Sequence, residues 1–325
     1  MKRAMAHVLK NATRHALSRQ RGLTIAELMV SLTLGLLLIL VAVSLLVTAN
    51  AGFVAQAEKA SVDDAGRFAL AVIERAVRQA AFVDWDGEQA GRGADPAAPA
   101  PVRGLDAASL SSAGAEIKDP RPASVNGSDV LALRFSGSGP GEGDGSATTC
   151  AGFSVGAGQQ GWSIFYVGIG PGGVAELRCK FRGANNWSAE AVVGGVDSFQ
   201  VLYGLDTDTA PDGAGNRYVS ASDINALDAA LAVEGETEQE RERDRLRKSW
   251  WKRVASIKLA LLMHGAKNSH QAGPPSLYRM FGAAYGDGAD AGTSVRRSSI
   301  KPALQQRERR MFAATIVLRN SARLP

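Results

Sequence analysis

The chain has 325 residues, of which 45% are hydrophobic and 21% charged, so it is long enough for one sizeable domain and too apolar for a disordered chain. Its formal charge of +5 invites a nucleic-acid partner, but Lys2, Arg3, Lys10, Arg14, Arg19 and Arg21 all lie in the first 22 residues, where no acid occurs; removing those six from +5 leaves −1. The basicity is thus N-terminal, which argues against nucleic acid, and the later basic residues Arg296, Arg297, Lys301, Arg307, Arg309 and Arg310 read as solvated surface.

In chain order, the first informative element is apolar. No Asp, Glu, Lys or Arg occurs from Leu28 to Ala57, and residues 28–48, LMVSLTLGLLLILVAVSLLVT, are long enough to cross a bilayer as a helix, which needs roughly 20 residues. Basic residues precede the run and acids follow it at Glu58, Asp63 and Asp64, which places the N-terminus in the cytoplasm and the remainder across the membrane. A secretory signal peptide is cut after its apolar run. Here the notable junction, Arg19-Gln20-Arg21-Gly22-Leu23, comes before it. An acid, Glu27, stands at the start of the run, where an ionisable group is costly and marks function.

Gly22 followed by LTIAELMVSLTLGLLLIL, with Glu27 fifth after the glycine, resembles the type IV prepilin signature. The resemblance implies that residues 1–22 are a leader, removed by prepilin peptidase between Gly22 and Leu23, with Leu23 then N-methylated. It also implies that the helix stays on the protein, and that Glu27 pairs with the N-terminal ammonium of a neighbouring subunit. A carboxylate near lipid must find a positive partner or lose its charge, which agrees with that role. The alternative is a carboxylate resting at the cytoplasmic interface.

Residues 23–50 are then the transmembrane half of the helix, and 51–83 an amphipathic periplasmic half. Phe53, Ala57, Ala60, Asp64, Phe68, Val72, Ala76 and Ala80 recur at helical spacing as the stripe expected to pack on a globular domain. Residues 84–128, rich in Gly, Pro and Ala, read as a loop with little regular structure. The β-rich domain, 129–325, has strand-like runs at 130–135, 162–168, 174–182, 198–205, 254–263 and 312–319. Ile257, Leu259, Leu261 and Met263 alternate onto one face. A helix is expected over 220–248, starting at a cap near SASD and ending in a charged insertion, 234–248, read as a solvated face. The expected fold is α+β and type IV pilin-like: a long N-terminal helix packed on one antiparallel sheet.

Two cysteines, Cys150 and Cys179, fall on the oxidising side of the membrane, which favours a disulfide over two buried thiols. Asp206, Asp208, Asp212 and Gly213 form an oxygen-rich turn, read either as a calcium site or as an ordinary Asp/Gly hairpin turn. His7, His15, His264 and His270 are scattered, and no nucleophile triad, phosphate loop or dinucleotide fingerprint is present, so no enzymatic role is expected.

The blocks SDVLALRF, VDSFQVLYGLDTDTAPDGAGNRYV, WKRVASIKLALLMHG and RRMFAATIVLRN resemble the PilW-type minor pilins. That resemblance implies a rare subunit that helps to start type IV pilus assembly and is incorporated near the tip. Its partners would be other minor pilins, the major pilin, the assembly platform and a tip adhesin. The residues leave two other readings open, a GspJ-like minor pseudopilin of type II secretion and a DNA-binding pilin for uptake.

Overall fold

The computed structural model describes residues 22–80, 95–123, 125–268, 276–285 and 290–318. Residues 1–21 of the expected leader, the last three residues of the expected periplasmic helix half, the first part of the expected loop and the final residue of the last expected strand lie outside these. The chain divides into two compact units between Phe53 and Val54. In the first, the helix α1 (Ile25–Gln79) carries the apolar run, long and apolar enough to cross a membrane and exposed almost throughout.

In the second unit, α1 continues and two antiparallel sheets follow. The five-stranded sheet has the order β1 (Val102–Leu105), β4 (Val130–Ser136), β5 (Gln160–Ile169), β6 (Ala175–Arg182) and β7 (Trp187–Gly194). The four-stranded sheet has the order β13 (Arg307–Val317), β10 (Val254–Asn268), β8 (Val196–Leu205) and β9 (Arg217–Val219). Alternation sorts their side chains. Phe165 and Val167 of β5, Val201 and Tyr203 of β8, and Ile257, Leu259, Leu261 and Met263 of β10 join Val62, Ala69, Ile73 and Val77 of α1 in one core. The expectation of a single sheet is therefore corrected to two, both drawn onto α1.

The face of α1 that enters this core is a second correction. Val62, Gly66, Ala69, Ile73, Ala76 and Val77 are buried, whereas Phe53 and Phe68 of the expected stripe are 74% and 56% exposed. Ala57, Ala60 and Asp64 are exposed as well; only Ala76 and Ala80 of that stripe are buried. Both faces of the helix have apolar spacing, so periodicity does not choose between them. Side-chain size does. A Cβ built on Gly66 would lie 2.3 Å from the Phe312 ring, so β13 approaches the helix more closely there than any side chain allows. Beside it, Arg310 donates both to Asp63 Oδ1 at 2.7 Å and to Asp63 Oδ2 at 2.9 Å, tying β13 to the same turn of α1.

The outer faces are covered by further segments, one of them expected to be irregular. The 84–128 segment, read as a loop, contributes β1, paired with β4 from Val102↔Leu133 to Leu105↔Val130, and the short pair β2 (Ala108–Ser109) and β3 (Arg121–Pro122). Ala108 and Leu110 pack on Val130, Ala132, Ile164 and Tyr166 of the first sheet. On the second sheet, Ala260 and Leu262 are covered by Met280, Val295 and Ile300, beside the hairpin β11 (Leu277–Arg279) and β12 (Ser294–Arg296). The helix expected over 220–248 is two, α2 (Ala221–Ala229) and α3 (Glu238–Lys248), each opened by a capping box, from Ser220 with Asp223 and from Thr237 with Glu240. Gly235, at φ 142° between them, has a backbone that no helix shares.

The Gly66 contact carries a prediction. Gly66→Val, measured by thermal unfolding of the detergent-solubilised chain, should lose about 1–3 kcal/mol through overpacking against Phe312. Adding Phe312→Ala to that variant should cost less than the sum of the two single changes. A neutral Gly66→Val would show that the approach is looser than described.

Candidate functional site

The N-terminal candidates sit at the start of α1. Gly22 and Leu23 precede the helix and are exposed. Among the described residues nothing approaches Gly22: a Cβ there would meet no atom within 4 Å. Thr24 and Glu27 form a capping box. The Glu27 N–H donates to Thr24 Oγ1 at 3.2 Å, while the Thr24 N–H and hydroxyl both donate to Glu27 Oε2, at 2.9 and 3.0 Å. Glu27 thus fixes the helix start within its own chain.

The two cysteines are bridged, with a separation of 29 residues. A loop of that size stabilises by about 3–4 kcal/mol in the chain-entropy description. Cys179 lies in β6 inside the core, 1% exposed, and Cys150 in the glycine-rich connection from β4 to β5.

Asp206, Asp208 and Asp212 converge, with one oxygen of each within 4.8 Å of the others. The turn also satisfies them from within. Asp206 accepts from the Asp208 N–H at 3.1 Å and the Gly213 N–H at 2.8 Å, Asp212 from the Ala214 N–H at 2.8 Å, and Asp208 from the Asn216 side-chain amide at 3.2 Å. This is the bonding of an Asx-rich turn, and it accounts for the three residues before any ion is invoked.

The late basic residues divide. Arg309 is buried and donates to Asp197 Oδ2 at 2.8 Å, Arg310 is paired with Asp63, and Arg307 donates to the Gly265 carbonyl at 3.3 Å. Three of the six positives named from the sequence therefore have acceptors that help to hold β13, while Arg296, Lys301 and Arg310 are exposed, as expected. On α3, Glu238 with Arg241, and Asp244 with Arg247 and Lys248, make local ion pairs, as a solvated helix does.

Comparison with known proteins follows this geometry. The family described as Type IV Pilus-assembly protein W matches residues 164–320, from within β5 to beyond β13. Three of the four sequence blocks that carried the PilW resemblance fall inside that range, and the resemblance holds there. Among solved structures the chain is similar to a type IV-like pilin from Thermus thermophilus, with 15% identity over 80% of this chain and 98% of that one and a TM-score of 0.37. No curated protein sequence matches it.

One cluster had no signal in the sequence, because its members are far apart in the chain. Asp106 accepts from the Ala221 and Ser222 N–H groups at the start of α2, at 3.0 and 2.6 Å, and Asp223 accepts from the Ser220 N–H. Burial, and then the charges of Asp106 and Asp223, push the Asp290 carboxyl up to about 6, with the Tyr285 hydroxyl 3.5 Å away. The sign follows from linkage. A carboxyl raised from its ordinary 3.8 contributes stability at low pH that is lost as the pH climbs through about 6. Asp290→Asn should therefore raise the thermal midpoint at neutral pH and flatten its decline between about pH 4 and 6. An unchanged pH profile in that variant would exclude Asp290 as the cause.

Proposed function

We propose that this chain is a minor pilin that helps to initiate type IV pilus assembly and is incorporated into the pilus near its tip. The observation that carries the proposal is the division of α1 into two faces. One face is consumed by the domain core. The other carries the exposed Phe53, Ala57, Ala60 and Phe68, with Asp64 among them, and it follows an exposed run fit for a bilayer. A soluble domain rarely leaves so long an apolar surface open without a partner. Helices of other pilins are the partners that a PilW-type chain supplies with matching chemistry.

In this reading residues 1–22 are removed by prepilin peptidase. Gly22 supports that, since among the described residues no contact calls for a glycine there, as suits a peptidase that reads bare backbone. Leu23 then bears the new, methylated amine. Glu27 serves twice: Oε2 holds the cap with Thr24, while among the described residues Oε1 has no hydrogen bond and is open to a neighbour's ammonium. Such a pair would set the axial register of helices that otherwise slide in lipid. The N-terminus lies in the cytoplasm and the domain in the periplasm, later at the cell surface. The assembly platform, the major pilin and a tip adhesin complete the partners. Calcium at Asp206, Asp208 and Asp212 belongs to the same proposal, supported by their convergence alone. A GspJ-like role in type II secretion shares the cut and the helix logic. The match to the pilus-assembly family supports the pilus reading over it. The occupied arginines of β13 weigh against DNA uptake.

The test is co-purification of mature protein with the other minor pilins. Glu27→Ala, which removes both cap and charge, and Glu27→Gln, which keeps the shape and loses the charge, should each be processed normally yet recover partners about tenfold less well. Gly22→Val serves as the control that remains uncut by mass. Wild-type recovery by both Glu27 variants would leave that carboxylate with its capping role alone.

A further inference from the structure

The connection from β4 to β5, residues 137–158, is closed by backbone hydrogen bonds of its own, among them the Ser138 N–H to the Val155 carbonyl at 2.9 Å, the Val155 N–H to the Ala147 carbonyl at 2.9 Å and the Ala157 N–H to the Gly139 carbonyl at 2.7 Å. Gly139, Gly141, Gly143, Gly145, Gly152 and Gly158 all take positive φ, so ordering it costs much backbone entropy. Its apolar contacts are Ala147 and Val155 against Phe135, Phe153 against the Phe181 ring of β6 with centroids 5.0 Å apart, and Ala151 on the main core. Two further ties add to these.

The first tie is covalent, from Cys150 to Cys179 in the core of β6, supported by the Cys150 N–H donating to Ser163 Oγ of β5 at 2.9 Å. The second runs to the last turns of α1 through Thr148, two residues away. The Gln79 side chain pairs with the Thr148 backbone in both directions: its Nε2 donates to the Thr148 carbonyl at 3.0 Å, and the Thr148 N–H donates to its Oε1 at 3.3 Å. Arg75 donates to Thr148 Oγ1 at 3.0 Å. A backbone bridge between Thr148 and Ser154 closes this small turn around Cys150. The disulfide and the end of α1 therefore grip the same few residues from opposite sides.

We infer that the Cys150–Cys179 disulfide is a redox latch that seats the last turns of α1 on the domain through the Thr148 turn. Closing transfers two electrons and two protons from the thiols to an oxidant disulfide, which leaves as a dithiol. Opening is the reverse exchange with a dithiol reductant, through a mixed disulfide. With the latch open, the glycine-rich connection loses its anchor and the hydrogen bonds to Arg75 and Gln79 go with it. The sheets do not depend on it, because β6 keeps its pairing with β5 and β7 along its length. On the pilin reading proposed above, the consequence is that thiol oxidation adds the polar grip of Arg75 and Gln79 to a helix end that the core already holds through Ile73, Ala76 and Val77.

Amide hydrogen exchange of the full chain in detergent, oxidised and reduced, tests the latch without requiring a pilus. Reduction should speed exchange at residues 72–80 and 144–155 by about tenfold while β8 and β10 keep their protection. Gln79→Ala, with the disulfide intact, should reproduce the change at 72–80. Unchanged exchange at 72–80 on reduction, loss of protection across both sheets, or a silent Gln79→Ala would each overturn the latch. A chain that shows the latch but never joins other pilins would overturn the pilin reading alone.

Discussion

The Phe312 ring fills the space that any side chain at position 66 would need, and Arg310, two residues earlier in β13, holds Asp63 one turn earlier in α1. This close contact depends on the helix being narrow there. Gly66, Ala69 and Ala76 keep it so, with Ile73 and Val77 supplying the bulk. The core strands of both sheets gather on that face, and their outer faces are covered in turn by residues 95–123 and by Met280, Val295 and Ile300. Burying Ile73 and Val77 fully contributes about 2 kcal/mol each, and that gain exists only because the small residues between them let the strands approach.

What the sequence made legible follows from how strongly each signal was determined. The strands of the core showed clean alternation, as in Ile257, Leu259, Leu261 and Met263 against Ala260 and Leu262, and the bridge between two lone cysteines was readable from compartment and number. The buried face of α1 was not. Alanines lie all round the helix, and choosing between stripes required knowing that Phe312 needs a glycine opposite. β1 is four residues in a proline- and glycine-rich context and takes its identity from its partner β4. Arg309 of β13 looked like surface because the acid that binds it in the interior, Asp197, lies far back in the chain.

The same distinction applies to the candidate functional residues. Gly22, Leu23 and Glu27 are carried by a local motif, so a sequence displays them. The Thr24–Glu27 box adds a local role that any account of Glu27 must include, because removing the carboxylate disturbs the helix start as well as any pairing between chains. The grip of Gln79 and Arg75 on Thr148, and the carboxylates around Asp290, arise only once distant segments meet, and no spacing rule announces them.

The central claim is that one face of α1 builds the domain while the opposite face is reserved for other chains. Site-specific photocrosslinking in cells reads this directly, with the photoreactive residue placed at Phe68 on the open face or at Ile73 on the buried one. The account predicts adducts between Phe68 and other pilins, and from Ile73 only crosslinks within the chain. Intermolecular adducts from Ile73, or none from Phe68 in cells that make pili, would contradict it.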